Sequence, residues 1–199
     1  MQYFDNNSSS IEQPLIIRTS IATASLWICD HLNDFLGNYP DSNITIQASD
    51  TKPDLLKDKV DVYIGSKLSD PKYFLNQHQI ETFTMGLYAS QDYIEEYGLP
   101  KSLEDLVNHK IIGFGSEMTR SYREVDWHLE LTDPHLIPYF KINSGGGLLR
   151  SVELGLGIGA ISNIGAKLAH TDLVHVLPEI KGYDVPVFFS YPRFMENDV

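Results

Sequence analysis

Small hydroxyl and amide side chains recur where predicted strands give way to helix starts: Thr19 and Ser20 with Thr23, Ser49 with Thr51, Ser116 with Thr119, and Asn143 with Ser144. Each offers donors without a fixed charge. In an open α/β sheet the carboxyl ends of the strands face one crevice. Helix N-termini there present free N–H groups that suit an anion. Together these residues would hold a small carboxylate. The same residue types are also ordinary helix N-caps, and spacing alone leaves both readings open.

Other chemistries find less in the chain. The seven histidines (His31, His78, His109, His128, His135, His170 and His175) never pair at i, i+4 on a helix, and the one cysteine, Cys29, forms no C-x-x-C. No metal site is expected from such spacing. There is no G-x-S-x-G elbow: Gly113-Phe-Gly-Ser116 lacks the second flanking glycine. Gly155-x-Gly157-x-Gly159 lies where a helix runs into a strand, the reverse of the dinucleotide-binding order, and reads as a helix C-cap and tight turn. Glu117, Arg120 and His128 are the acid/base candidates near the crevice, and they form no evident dyad. Arg120, Arg123 and Arg150 either pair with a second carboxylate of a ligand or are exposed helix residues. No enzyme activity and no cofactor is expected.

The elements that must position these residues follow from periodicity. A β-rich run at 15–19 leads into a helix over 22–36, stopped by Gly37-Asn-Tyr-Pro40. Alternation marks a strand at 43–47. Asp50 or Thr51 caps a short helix to 59, and a strand covers 60–64. That is β-α-β-α-β, which calls for a parallel sheet with right-handed crossovers. Residues 66–81 read as loop. Strands are predicted at 83–89, 110–114, 138–142, 158–161, 173–177 and 185–191. Helical segments are predicted at 92–97, 102–108, 120–131, from 143 or 144 up to Gly155, and at 163–169. Residues 1–13 are polar and read as a disordered tail or linker remnant.

Composition narrows the function classes. With 42% hydrophobic and 21% charged residues, the 199-residue chain has the balance of a folded soluble protein. Its net charge of −12 and the absence of a basic stripe argue against a nucleic-acid surface within this chain. One cysteine excludes an internal disulfide and favours a reducing compartment; its apolar neighbours predict that Cys29 is buried. The N-terminus lacks the basic and apolar regions of a signal peptide, and no apolar run is long enough to span a membrane. A cytoplasmic location is expected.

Over residues 14–191 the order and spacing of several pieces resemble the effector-binding (regulatory) domain of LysR-type transcriptional regulators. The pieces are Leu15-Ile-Ile-Arg-Thr-Ser with Phe35 and Tyr39-Pro40, then Leu55-Leu56 followed by Val60-Asp-Val62, then Ser102-Leu-Glu-Asp-Leu106. The strongest runs from Ile142-Asn-Ser through Leu148-Leu to Val152-Glu-Leu-Gly-Leu-Gly-Ile-Gly159. The resemblance implies an α/β, two-lobed type 2 periplasmic-binding-protein-like fold with mixed sheets. Two crossing strands join the lobes and a small-molecule effector sits in the cleft. Lobe I would be 14–88 plus 180–199, and lobe II 89–179. Positions matching the family's effector contacts are Ser20 and Thr23, Ser49 and Thr51, Ser116, Asn143 and Ser144, and Ile161 and Ser162. The implied effector is a small metabolite, anionic in view of the hydroxyls. The implied assembly is a homodimer or homotetramer, with Trp27, Ile28, His31 and Phe35 of the first helix contributing to a dimer face. DNA would be contacted only through an N-terminal domain missing from this sequence.

Some features depart from the family. The segment from Thr51 to Val60 is short, Ser162 stands where proline is frequent, and the sequence stops soon after Tyr191, where an amphipathic helix is expected. A free-standing solute-binding protein of the same fold is the alternative.

Overall fold

A computed structural model describes residues 13–51, 53–55, 57–69, 74–115 and 126–195. Strand β1 (Leu15–Thr19) leads through Ser20 into helix α1 (Ile21–Thr23), a π-helical turn (Ala24–Ile28) and helix α2 (Cys29–Asn38), followed by β2 (Ile44–Ala48), β3 (Val62–Gly65) and the long β4 (Leu75–Ser90). Helix α3 (Gln91–Tyr97), β5 (Ile111–Gly113), β6 (Phe140–Lys141), α4 (Gly145–Glu153), β7 (Ile158–Ser162), α5 (Asn163–Lys167), β8 (Leu173–Val176) and β9 (Asp184–Pro192) follow, with 3-10 turns at Glu104–Asn108, Trp127–Glu130 and Arg193–Met195.

The strands run in the order β2-β1-β3-β9-β4-β7-β5-β6, with β8 also on β4. β1 lies parallel to both β2 and β3, with Ile17 opposite Ile46 and Val62. The β-branched residues of these strands suit a pleated, largely covered surface. β4 ties two sheet regions together. From Leu75 to Thr84 it runs antiparallel to β9, and from Met85 to Tyr88 antiparallel to β7. Its last residues also pair with β8.

Each region has its own core. Ile28, Val62, Ile64 and Val187 pack in the first. In the second, one cluster gathers Leu87, Tyr93, Leu106 and Ile158, and another Ile112, Leu149 and Val152. Four helices begin on a serine whose Oγ accepts the N–H three residues on: Ser20 from Thr23, Ser90 from Tyr93, Ser144 from Gly147 and Ser162 from Gly165. Each such cap is worth about 1 kcal/mol. Gly155, at φ +71°, ends α4 in the left-handed conformation that glycine tolerates.

Five sequence expectations are corrected. The stretch read as loop over 66–81 contains the first half of β4, from Leu75. Its polar side chains masked the strand; Gln77 bonds the backbone N–H and C=O of Leu68, both at 2.9 Å. The helix expected from Asp50 to 59 is a single turn, closed by Asp58 N–H on Asp54 O and Val60 N–H on Leu55 O. Pro53 and the positive φ of Lys59 do not propagate a helix there. Of the helix predicted over 120–131, residues 120–125 lie outside the described residues, and Trp127–Glu130 is a 3-10 turn. The strand expected over 138–142 is reduced to Phe140–Lys141. Cys29 is exposed, not buried: Ile28, the last residue of the π turn, takes the inward position. Of the tail read over 1–13, residues 1–12 lie outside the described residues.

Candidate functional site

The end of β1, the start of α1 and the loop after β2 face the starts of α4 and α5 across the crossing strands. Between them is a cavity of ≈ 190 Å³. Ser20, Ala22, Thr23, Leu26, Trp27 and Asp50 line it from one side. Gly145, Leu148, Leu149, Ile161, Ser162, Ile164 and Gly165 line it from the other, and Phe83, Met85 and Val185 of the crossing strands form its floor with Tyr183 and Phe114 nearby in the lining.

The predicted residues are distributed unevenly. Ser20, Thr23, Ile161 and Ser162 line the cavity. Ser49 and Thr51 do not; their hydroxyls bond each other at 2.8 Å, and the residue between them, Asp50, faces the cavity instead. Ser144 caps α4 behind the lining residue Gly145. Asn143 is exposed and outside the lining. Ser116 lies outside the described residues, as do Glu117, Thr119, Arg120 and Arg123.

At the cavity two of the predicted hydroxyls serve as N-caps. Ser20 and Ser162 are N-caps of helices whose starts point at the cavity. Ser20 Oγ accepts from Thr23 N–H at 3.0 Å and donates to Thr23 Oγ1 at 2.7 Å. Asn163 Oδ1 accepts from Ile164 N–H at 2.9 Å and from Thr84 N–H on β4 at 3.0 Å. Asp50 Oδ1 accepts from Ile21 N–H at 3.1 Å, fixing the loop after β2 to the start of α1.

Sequence reasoning missed most of the cavity's surface. Trp27, expected on a dimer face, lines the cavity and meets Phe83 edge-on at 6.0 Å. Ile28 is buried, so of the four residues expected on a dimer face only His31 and Phe35 are exposed. His128 is no acid/base candidate for the cleft. It is buried at 1% exposure and its Nε2–H donates to Ile112 O at 2.9 Å; burial pushes its pKa down. Arg150 pairs with Glu153 at 3.0 Å and does not line the cavity. No cluster of metal-ligating side chains occurs among the described residues.

The family described as the LysR substrate binding domain matches residues 9–198. The chain belongs to that family. As a LysR substrate-binding domain it is similar to an uncharacterized HTH-type transcriptional regulator of Haemophilus influenzae, 26% identical over 192 residues that make up 94% of this chain and 65% of that protein. It is also similar to an HTH-type transcriptional repressor of Pseudomonas aeruginosa, 30% identical over 185 residues, 87% of this chain and 56% of that one. The chain thus spans between about half and two thirds of the length of these curated relatives. Among solved structures, the regulatory domain of CrgA from Neisseria meningitidis superposes with a TM-score of 0.75 at 20% identity, covering 92% of this chain and 91% of that one. The LysR substrate-binding domain therefore has the two-lobed periplasmic-binding-protein-like fold, and these curated relatives are transcriptional regulators. Among the described residues no helix is long and apolar enough to cross a membrane.

Proposed function

We propose that this chain is the effector-sensing part of a LysR-type transcriptional regulator, with a small metabolite bound between lobes 14–88 plus 180–199 and 89–179. The observation that carries the reading is the cavity lined from both sides of the crossing strands. A ligand that fits the closed arrangement better than an open one shifts the equilibrium between them by its difference in affinity. Ser20, Thr23, Ile161 and Ser162 are the proposed ligand contacts; Ser144, Asn143, Ser49, Thr51 and Ser116 complete the expected set. The rest of the regulator supplies the DNA contact, the assembly is a homodimer or homotetramer in the cytoplasm, and no catalysis is involved.

The hydroxyls alone suit an anionic metabolite. Their surroundings also include many apolar side chains and the carboxylate of Asp50. The proposal is tested by titration calorimetry of the chain against small organic acids, amino acids and amines. A binder whose affinity falls in Thr23→Val or Ser20→Ala supports the site. Unchanged affinity in both variants contradicts the assignment of these contacts.

A further inference from the structure

The backbone donors that would receive an anion at the cavity are already engaged by the protein itself. Thr23 N–H is held by Ser20 Oγ, Gly165 N–H by Ser162 Oγ and Ile164 N–H by Asn163 Oδ1. Ile21 N–H is held by a carboxylate, Asp50. A second anion arriving there would meet a like charge and displace an existing bond.

Among the described lining residues Asp50 is the one charged side chain. It forms no ion pair among the described residues; its Oδ2 has no hydrogen-bond partner there. None of the described lining residues is Lys, Arg or His. Arg18, on the strand leading to this end, donates to Thr51 Oγ1 at 3.3 Å and is not in the lining. The aromatic faces of Trp27, Phe83 and Phe114 suit both an apolar body and a cation. Size agrees as well: a dry apolar cavity of about 150 Å³ holds benzene, so ≈ 190 Å³ accommodates a ring with a short polar arm.

Resting on the effector reading above, we propose that the cleft takes a small, largely apolar molecule bearing a protonated amine. The ammonium lies against Asp50 and the apolar body against Trp27, Phe83 and Phe114. The amine donates to the free carboxylate oxygen without displacing the Ile21 N–H bond.

The test is a matched series, phenethylamine, phenethyl alcohol and phenylacetate, titrated calorimetrically into the 199-residue chain and into Asp50→Asn. Asparagine keeps an acceptor for Ile21 N–H, so the loop stays in place. The expected order is amine tightest and carboxylate weakest, with the amine's advantage over the alcohol about tenfold or more and lost in Asp50→Asn. Phenylacetate binding as tightly as the amine overturns the proposal, and so does an amine preference that survives Asp50→Asn. Either result leaves the effector cleft standing. Failure of the amine to bind also overturns the amine proposal; the broader titration and the Thr23→Val and Ser20→Ala variants judge the cleft itself.

Discussion

Ala22 of α1 and Gly145 of α4 meet so closely across the cleft that a Cβ added at Gly145 would lie 2.9 Å from the Cβ of Ala22. Neither side has a flexible side chain that can yield. Glycine at 145 is thus what allows the two helix starts to approach, and the approach closes the cavity on that side.

Gly145→Val is therefore expected to hold the two sides apart. Small-angle scattering should give a larger radius of gyration than for the wild type, and ligand affinity should fall. Gly146→Ala is the control, because a Cβ there meets nothing within 4 Å; it should bind as the wild type does. Equal affinity and equal dimensions in Gly145→Val would show that the contact does not govern closure.

Ser90 is buried at 3% exposure and its Oγ caps α3. Ser90→Ala leaves Tyr93 N–H without that acceptor and should cost about 1 kcal/mol in chemical denaturation. Because β4 delivers its last residues to the second core, the loss should leave the cavity's lining unchanged.

Much of this architecture was legible in the residues. Apolar and β-branched runs marked β1, β2 and β3, and their β-α-β order gave the parallel arrangement seen in the register of Ile17 with Ile46 and Val62. The resemblance brought Ser20, Thr23, Ile161 and Ser162 to one place. Asp50 was not legible in this role. Its position before Thr51 reads as a local helix cap, whereas its carboxylate reaches Ile21, 29 residues away in sequence. The polar half of β4 hid for a related reason, since Gln77 satisfies the backbone of Leu68 and the hydroxyl of Ser190 and not solvent. Long-range polar pairing leaves no periodic trace. The π turn at Ala24–Ile28 likewise shifts the facing of Ile28 and Cys29 relative to a regular helix.

His128 gives a pH dependence. Burial holds its pKa below the ordinary value, with the Ile112 carbonyl pulling weakly the other way. The unfolded state therefore binds the proton first. The associated stability is fully present above about pH 6.5 and is lost as pH falls through the lower folded value. Melting temperatures measured downward from neutral pH should fall, and His128→Gln, which keeps a donor for Ile112 O, should flatten the slope. His109 and His175 are also pushed down by burial, so a residual slope is expected in the variant.

Leu87 is the junction of the second sheet region, paired with Ala160 of β7 and Val176 of β8 and exposed by only 1%. Leu87→Ala should cost about 2–5 kcal/mol by loss of transfer energy and cavity formation. A urea midpoint shift corresponding to less than this would mean that the surrounding strands collapse into the space.

The central claim is that the effector binds in the inter-lobe cavity, and Trp27 is a built-in reporter of that place. The chain has two tryptophans, so Trp127→Phe leaves Trp27 as the sole indole. Titrating this variant with the tightest compound from calorimetry should shift the Trp27 emission saturably, with a midpoint matching the calorimetric Kd. Binding heat with no change in Trp27 emission would place the ligand elsewhere and contradict the account.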